Sequence, residues 1–104
     1  MRGVAIRFAD SALEDIESIR DFCGRQGVPE VGERIVRRLI ERIETLGDHP
    51  DMGRIVPEFQ QASLRELLHP PFRLVYRREA EQVRMVRVWR SERWLELPDD
   101  EESM

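Results

Sequence analysis

The chain contains no lysine; all 17 of its basic residues are arginine. Whatever the origin of that bias, any cationic surface it builds carries planar forks suited to carboxylates, phosphates and aromatic faces. A single cysteine, Cys23, excludes an intramolecular disulfide and fits a reducing cytoplasm. It lies beside Phe22 on the apolar side of a predicted helix and reads as core filler, since a free cysteine behaves as a small hydrophobe. With only two histidines, His49 and His69, far apart and each next to a proline, no metal-ligand spacing exists, and neither metal nor cofactor is expected. There is no glycine-rich phosphate loop and no nucleophile elbow. No run approaches the roughly 18–20 apolar residues of a membrane span, and the first residues, MRGVAIRFAD, lack the apolar core of a signal peptide. The expected location is the cytoplasm, without membrane contact.

What is present fits one small domain. The 104 residues are 40% apolar and carry a net charge of −4, which is unevenly spread. Residues 1–63 hold nine arginines against twelve acids, net −3. Residues 64–94 hold eight against four, net +4, and residues 95–104 hold five acids and no arginine, net −5. A basic block is therefore followed by a short acidic segment. The expected division is a domain over 1–94 and a disordered acidic tail over 95–104.

VAIRFA (4–9) reads as a short strand. Ser11 to Glu14 has the form of a capping box opening a first helix, with Leu13, Ile16, Ile19, Phe22 and Cys23 at helical spacing. Gly24 and Gly27 are expected to end it. Pro29 suits the first turn of a second helix, whose stripe is Ile35, Val36, Leu39, Ile40, Ile43 and Leu46, stopped by Gly47 and Pro50. After a loop, LRELLH (64–69), FRLVYRR (72–78) and QVRMVRVWR (82–90) read as strands, the last two a hairpin. The His69–Pro70–Pro71 step is expected to interrupt pairing between the first two, because proline cannot donate to a ladder. The resulting fold class is α+β: an N-terminal strand, then an antiparallel helical hairpin packed on a curved, mainly antiparallel sheet of about four strands, in the order β-α-α-β-β-β. In the final strand, simple alternation sends Arg84, Val86, Val88 and Arg90 to one face and Val83, Met85, Arg87 and Trp89 to the other.

Four stretches in order carry a resemblance: IRFADSALEDIESIRDF with Ala12, Asp15 and Ile16; PDMGRIVPE; then LREL and FRLVYR; and finally VRVWRSER. Over residues 4–94 the chain resembles the ParE/RelE superfamily, the toxins of bacterial type II toxin–antitoxin (plasmid stabilisation) modules. The resemblance implies growth arrest by the toxin, neutralisation by a cognate antitoxin, and a higher-order toxin–antitoxin oligomer as one arrangement of the complex. It leaves the target open, because some members cut messenger RNA on the ribosome whereas ParE-type members poison DNA gyrase.

The residues lean toward the gyrase branch. As a ribosome-dependent nuclease the chain would use Arg65, Arg73 and Arg93 as cations. Its acid–base group is missing: Arg90 stands where many relatives have histidine, WLELP lacks the terminal tyrosine, and Tyr76 reads as packed. Glu58 and Glu66 are bases only by type. Without its acidic segment the domain is only about +1, low for a binder of ribosomal RNA. The expected target contacts are Arg90, Arg93 and Trp94. An acidic antitoxin segment is expected to meet Arg73, Arg77 and Arg87, with Trp89 as its apolar anchor, since tryptophan and arginine dominate binding hot spots. An interaction module without toxicity is the alternative from another class.

Overall fold

The computed structural model describes residues 3–90; the expected contacts Arg93 and Trp94 and the acidic segment 95–104 lie outside them. Strand β1 (Ala5–Phe8) leads into helices α1 (Asp10–Arg25) and α2 (Pro29–Glu44) and a 3₁₀ turn at Thr45–Gly47. Strands β2 (Arg54–Ile55), β3 (Leu64–His69), β4 (Phe72–Arg78) and β5 (Gln82–Arg90) complete the order. The expected α+β architecture is present, with five strands rather than about four, ordered β1-β5-β4-β3-β2. The added strand, β2, is two residues long, too short to show any alternation. β1 lies at the edge and runs parallel to β5, while the other pairings are antiparallel.

The helical hairpin follows from local chemistry. Pro29 opens α2 where its missing N–H is harmless. Gly27 adopts φ +80° between the helices, a conformation that costs other residues a steric clash. The Val28 N–H closes the turn onto the Cys23 carbonyl at 2.9 Å. α2 buries Val36, Leu39 and Ile43 as its stripe predicts. α1 departs from expectation: Ala12, Ile16 and Cys23 are its buried residues, whereas Leu13 and Phe22 flank the contact and are 47% and 55% exposed. The helix also runs through Gly24 to Arg25. A Cβ on Gly24 would meet nothing within 4 Å. Gly24→Ala is thus expected to raise stability by about 0.5–1 kcal/mol through reduced chain entropy, visible as a higher urea midpoint; a lower midpoint would contradict it.

Ser11 does not cap α1. The N-cap residue is Ala9, with no side-chain cap bond, and the Ser11 hydroxyl donates to the Val86 carbonyl at 2.6 Å. The reason lies in the sheet. β1 pairs with β5 only as far as Phe8 opposite Met85, so the edge of β5 beyond that point needs other partners. Ser11 supplies one, and Asp15 accepts the Val88 N–H at 2.8 Å.

His69–Pro70–Pro71 does not interrupt β3 and β4 either. The prolines form the tight turn itself, with a cis Pro70–Pro71 peptide. The ladder is continuous from Leu64 opposite Arg77 to His69 opposite Phe72. The strict alternation expected for β5 also fails. A register shift at Val75/Tyr76 sets Tyr76 opposite Met85 and Val75 opposite Arg87, which inserts Val86 as a bulge. Val83, Met85 and Val88 therefore all join the helix-side core with Leu67, Phe72, Leu74 and Tyr76. Residues opposite one another share a face, so Arg84, Arg87 and Trp89 turn to the helix-free face. A second, small cluster of Val56, Leu64 and Val75, with Phe59 and Trp89 against it, covers part of that face.

Candidate functional site

The helix-free face is where most of the expected site residues meet. Register sets Arg73 opposite Trp89, Val75 opposite Arg87 and Arg77 opposite Arg84. Glu66 lies opposite Val75 from β3, and Arg54 opposite Glu66 from β2. Arg73, Arg77, Arg87 and Trp89 thus share one surface. Arg90, opposite Phe72, belongs to the helix side, exposed at the end of β5 with its guanidinium 6.0 Å from the Phe72 ring centre.

Each arginine on this face has its own chemistry. Arg73 is buried, and its whole fork is occupied: Nε donates to Glu66 at 2.6 Å, Nη1 and Nη2 to Glu58 at 2.7 and 2.8 Å. Arg54 supplies Glu66 with a second cation at 2.7 Å. Two arginines and two glutamates so form a closed, charge-balanced network, with the Glu66 side chain fully buried at its centre. The Arg73 hydrogen bonds hold the Glu58 carboxyl down to about 2, outweighing a burial effect in the other direction. These contacts fasten the 56–62 loop onto the sheet.

Arg87 grips Asp15 of α1 through Nε and Nη2, at 2.8 and 2.9 Å. Its guanidinium stacks 4.0 Å from the centre of the half-buried Trp89 ring, an arrangement arginine favours over lysine. Arg77 donates to Gln61 and Ser63, each at 2.9 Å. Arg84 bonds Glu79 at 2.9 and 3.3 Å, and the Glu79 carboxyl is held below its ordinary range chiefly by that bond.

The remaining candidates are dispersed. Arg65 lies opposite Tyr76 and donates from Nη1 to the Gly53 carbonyl at 3.0 Å, while its Nε is buried without a hydrogen-bond partner. Tyr76 is fully buried; its hydroxyl donates to the Pro50 carbonyl at 2.8 Å and accepts the Gly53 N–H at 2.9 Å. His49 lines a shallow open depression with Asp48, Pro50, Asp51 and Met52, and His69 ends β3 at the Pro70–Pro71 turn. Among the described residues no group of three histidine, cysteine or acidic side chains is arranged to hold a metal ion. No described helix is long and apolar enough to cross a membrane. Sequence reasoning missed Asp15 as the partner of Arg87 and Glu58 and Glu66 as the partners of Arg73. The pairs are separated by 72, 15 and 7 positions, beyond any local pattern.

Residues 6–94 match the family model of the ParE toxin of the type II toxin–antitoxin system parDE. The chain belongs to the ParE toxin family. Among solved structures it is similar to a chain of the chromosomal ParDE toxin–antitoxin system from P. aeruginosa, with a TM-score of 0.71 and 21% identity. That likeness covers 84% of this chain and 95% of the other. A chain of the RelBE2 toxin–antitoxin complex from Mycobacterium tuberculosis is similar at a TM-score of 0.63 and 21% identity, over 85% and 98% of the two chains. At these identities both likenesses concern the fold. No curated protein matches the sequence at a significant level. The ParE family assignment agrees with the order of elements.

Proposed function

We propose that this ParE-family toxin acts on DNA gyrase as a non-catalytic inhibitor, and that a cognate antitoxin neutralises it in the cytoplasm. The observation that carries the choice of target is the closed network around Arg73. RNA cleavage needs a base near neutral pKa and cations free to meet the phosphorane charge. Glu58, the one candidate base with a solvent-facing edge, is held at about 2 by Arg73. The same bonds commit the Arg73 fork, and Glu66 is buried between two arginines. Arg65 bonds a backbone carbonyl. A gyrase inhibitor needs no acid–base pair, only a contact surface, for which Arg90 at the end of β5 and Arg93 and Trp94 after it are the residues offered.

The antitoxin reading draws on the two similar folds, both from toxin–antitoxin complexes. Trp89 with the stacked Arg87, and Arg77 beside them, are its proposed contacts. Arg73 is left out of this set because it is buried, with all three guanidinium nitrogens bonded to Glu58 and Glu66.

Purified protein added to a gyrase supercoiling reaction is expected to abolish supercoiling, while messenger RNA on translating ribosomes stays intact. Co-purified antitoxin should restore supercoiling. Codon-specific RNA cuts with gyrase untouched would overturn the target and return Arg65 and Arg93 to phosphate binding. Silence in both assays would favour the non-toxic interaction module.

A further inference from the structure

Arg87 and Trp89 stand two positions apart on the helix-free face of β5, and one carboxylate from α1 reaches the backbone between them. Asp15 Oδ2 accepts both the Arg87 Nε–H and the Val88 N–H at 2.8 Å, and Oδ1 accepts the Arg87 Nη2–H at 2.9 Å. Two parallel bonds to one carboxylate fix the orientation of a guanidinium. The central carbon of this one stands over the Trp89 ring, 4.0 Å from its centre. The carboxylate is itself held in place. α1 begins where β1 stops pairing with β5, and one helical turn before Asp15 the Ser11 hydroxyl is tied to the Val86 carbonyl at 2.6 Å. Both side chains of the ion pair are well shielded, 16% exposed for Asp15 and 15% for Arg87, so water competes little for these bonds.

We propose that Asp15 is a positioning residue for antitoxin binding: through Arg87 it holds the Trp89 ring in the orientation that an apolar antitoxin side chain meets. The inference rests on the reading of Trp89 as an antitoxin contact and not on the choice of target. Trp89 is the last but one residue of β5, and a half-buried indole there has two side-chain torsions to lose when a partner arrives. A ring already ordered has less to lose, a saving of roughly three- to tenfold in affinity. The bulge at Val86 makes the arrangement possible. It brings Arg87 and Trp89 onto one face, while Val88 between them packs into the helix-side core and turns its N–H to the strand edge beside Asp15. Asp15 also balances the charge of the Arg87 fork. The pair therefore presents a stacked aromatic surface, which suits an apolar side chain.

The test uses the full chain and the antitoxin that co-purifies with it. Asp15→Asn keeps an oxygen for the Val88 N–H and removes the carboxylate's second acceptor. The NMR order parameter of the Trp89 indole N–H is expected to fall toward the range below about 0.6 that marks mobile groups. Antitoxin is expected to bind this variant roughly three- to tenfold more weakly. Arg87→Met, which leaves Asp15 its bond to Val88, should release the ring in the same way, independently of any folding defect in Asp15→Asn. The two substitutions together should weaken binding no more than Arg87→Met alone, because Asp15 acts through the fork. A purely structural Asp15 would lower the urea midpoint without moving the ring. Native ring order in either variant, or losses of affinity that add in the double variant, would overturn the proposal. Trp89→Ala tells the two readings apart. Unchanged affinity there overturns the contact reading and the role of Asp15 with it, whereas weakened binding beside native binding in Asp15→Asn overturns the role of Asp15 alone.

Discussion

Arg73→Met is expected to destabilise the protein by about 3 kcal/mol, at the lower end of the cost of breaking a buried ion pair. The substitution keeps the aliphatic stem and removes the fork, stranding Glu66, whose side chain is fully buried. The lower end is expected because Arg54 retains its 2.7 Å bond to Glu66. Arg73→Met combined with Glu66→Leu should recover most of the loss, because apolar replacement of both partners leaves no uncompensated buried charge. Glu58 and Arg54 then simply face solvent. Urea unfolding of the two variants decides the matter; equal loss in the single and the double variant would show that Arg73 contributes by packing instead.

The same network sets an acid sensitivity. The Glu58 carboxyl sits at about 2 in the folded protein against an ordinary 4.5, so the folded state binds its proton less readily than the unfolded chain does. Its contribution is fully present above about 4.5 and is lost as pH falls through about 2. Glu58→Gln should flatten that part of the stability profile, which acid titration of the unfolding midpoint would reveal.

Gly53→Ala is expected to cost about 2–3 kcal/mol, a large effect for a residue flanked by exposed neighbours. Its backbone angles are not the obstacle. A Cβ at this position would stand 2.7 Å from the Glu66 carbonyl oxygen, 2.7 Å from the Tyr76 hydroxyl and 2.8 Å from Tyr76 Cε1. None of these can give way easily. Glu66 is register partner to both Arg54 and Val75, and the Tyr76 ring is fully buried among the helix-side residues. Displacing the loop would break the Gly53 N–H bond to the Tyr76 hydroxyl and strain the Arg65 bond to the Gly53 carbonyl. Tyr76→Phe removes only the hydroxyl and its two bonds, for about 1–2 kcal/mol. Thermal unfolding should therefore rank Gly53→Ala below Tyr76→Phe, and the reverse order would mean that the loop relaxes around the added methyl.

The sequence by itself determined the two helices, four of the five strands and the order of these elements. Helical spacing in Val36, Leu39 and Ile43, Pro29 at the start of α2 and Gly27 in the turn are local signals, and local sterics and periodicity suffice to read them. The same holds for the three long strands and, through four short stretches in sequence, for the family. The tertiary structure alone decided which arginines do what. A bulge at Val86 moves Arg84 onto the face of Arg87 and Trp89, and one inserted residue is enough because strand side chains alternate with period two. Ser11 serves β5 instead of its own helix because β1 stops at Phe8. Arg73 becomes a buried pillar because β3 and the 56–62 loop deliver Glu66 and Glu58 to it. Arg7, unremarkable in VAIRFA, is set opposite Arg84 only through parallel pairing with a strand more than seventy residues later. Sequence patterns report what neighbours along the chain need, whereas a charged side chain takes its role from partners that only the register of the sheet brings within reach.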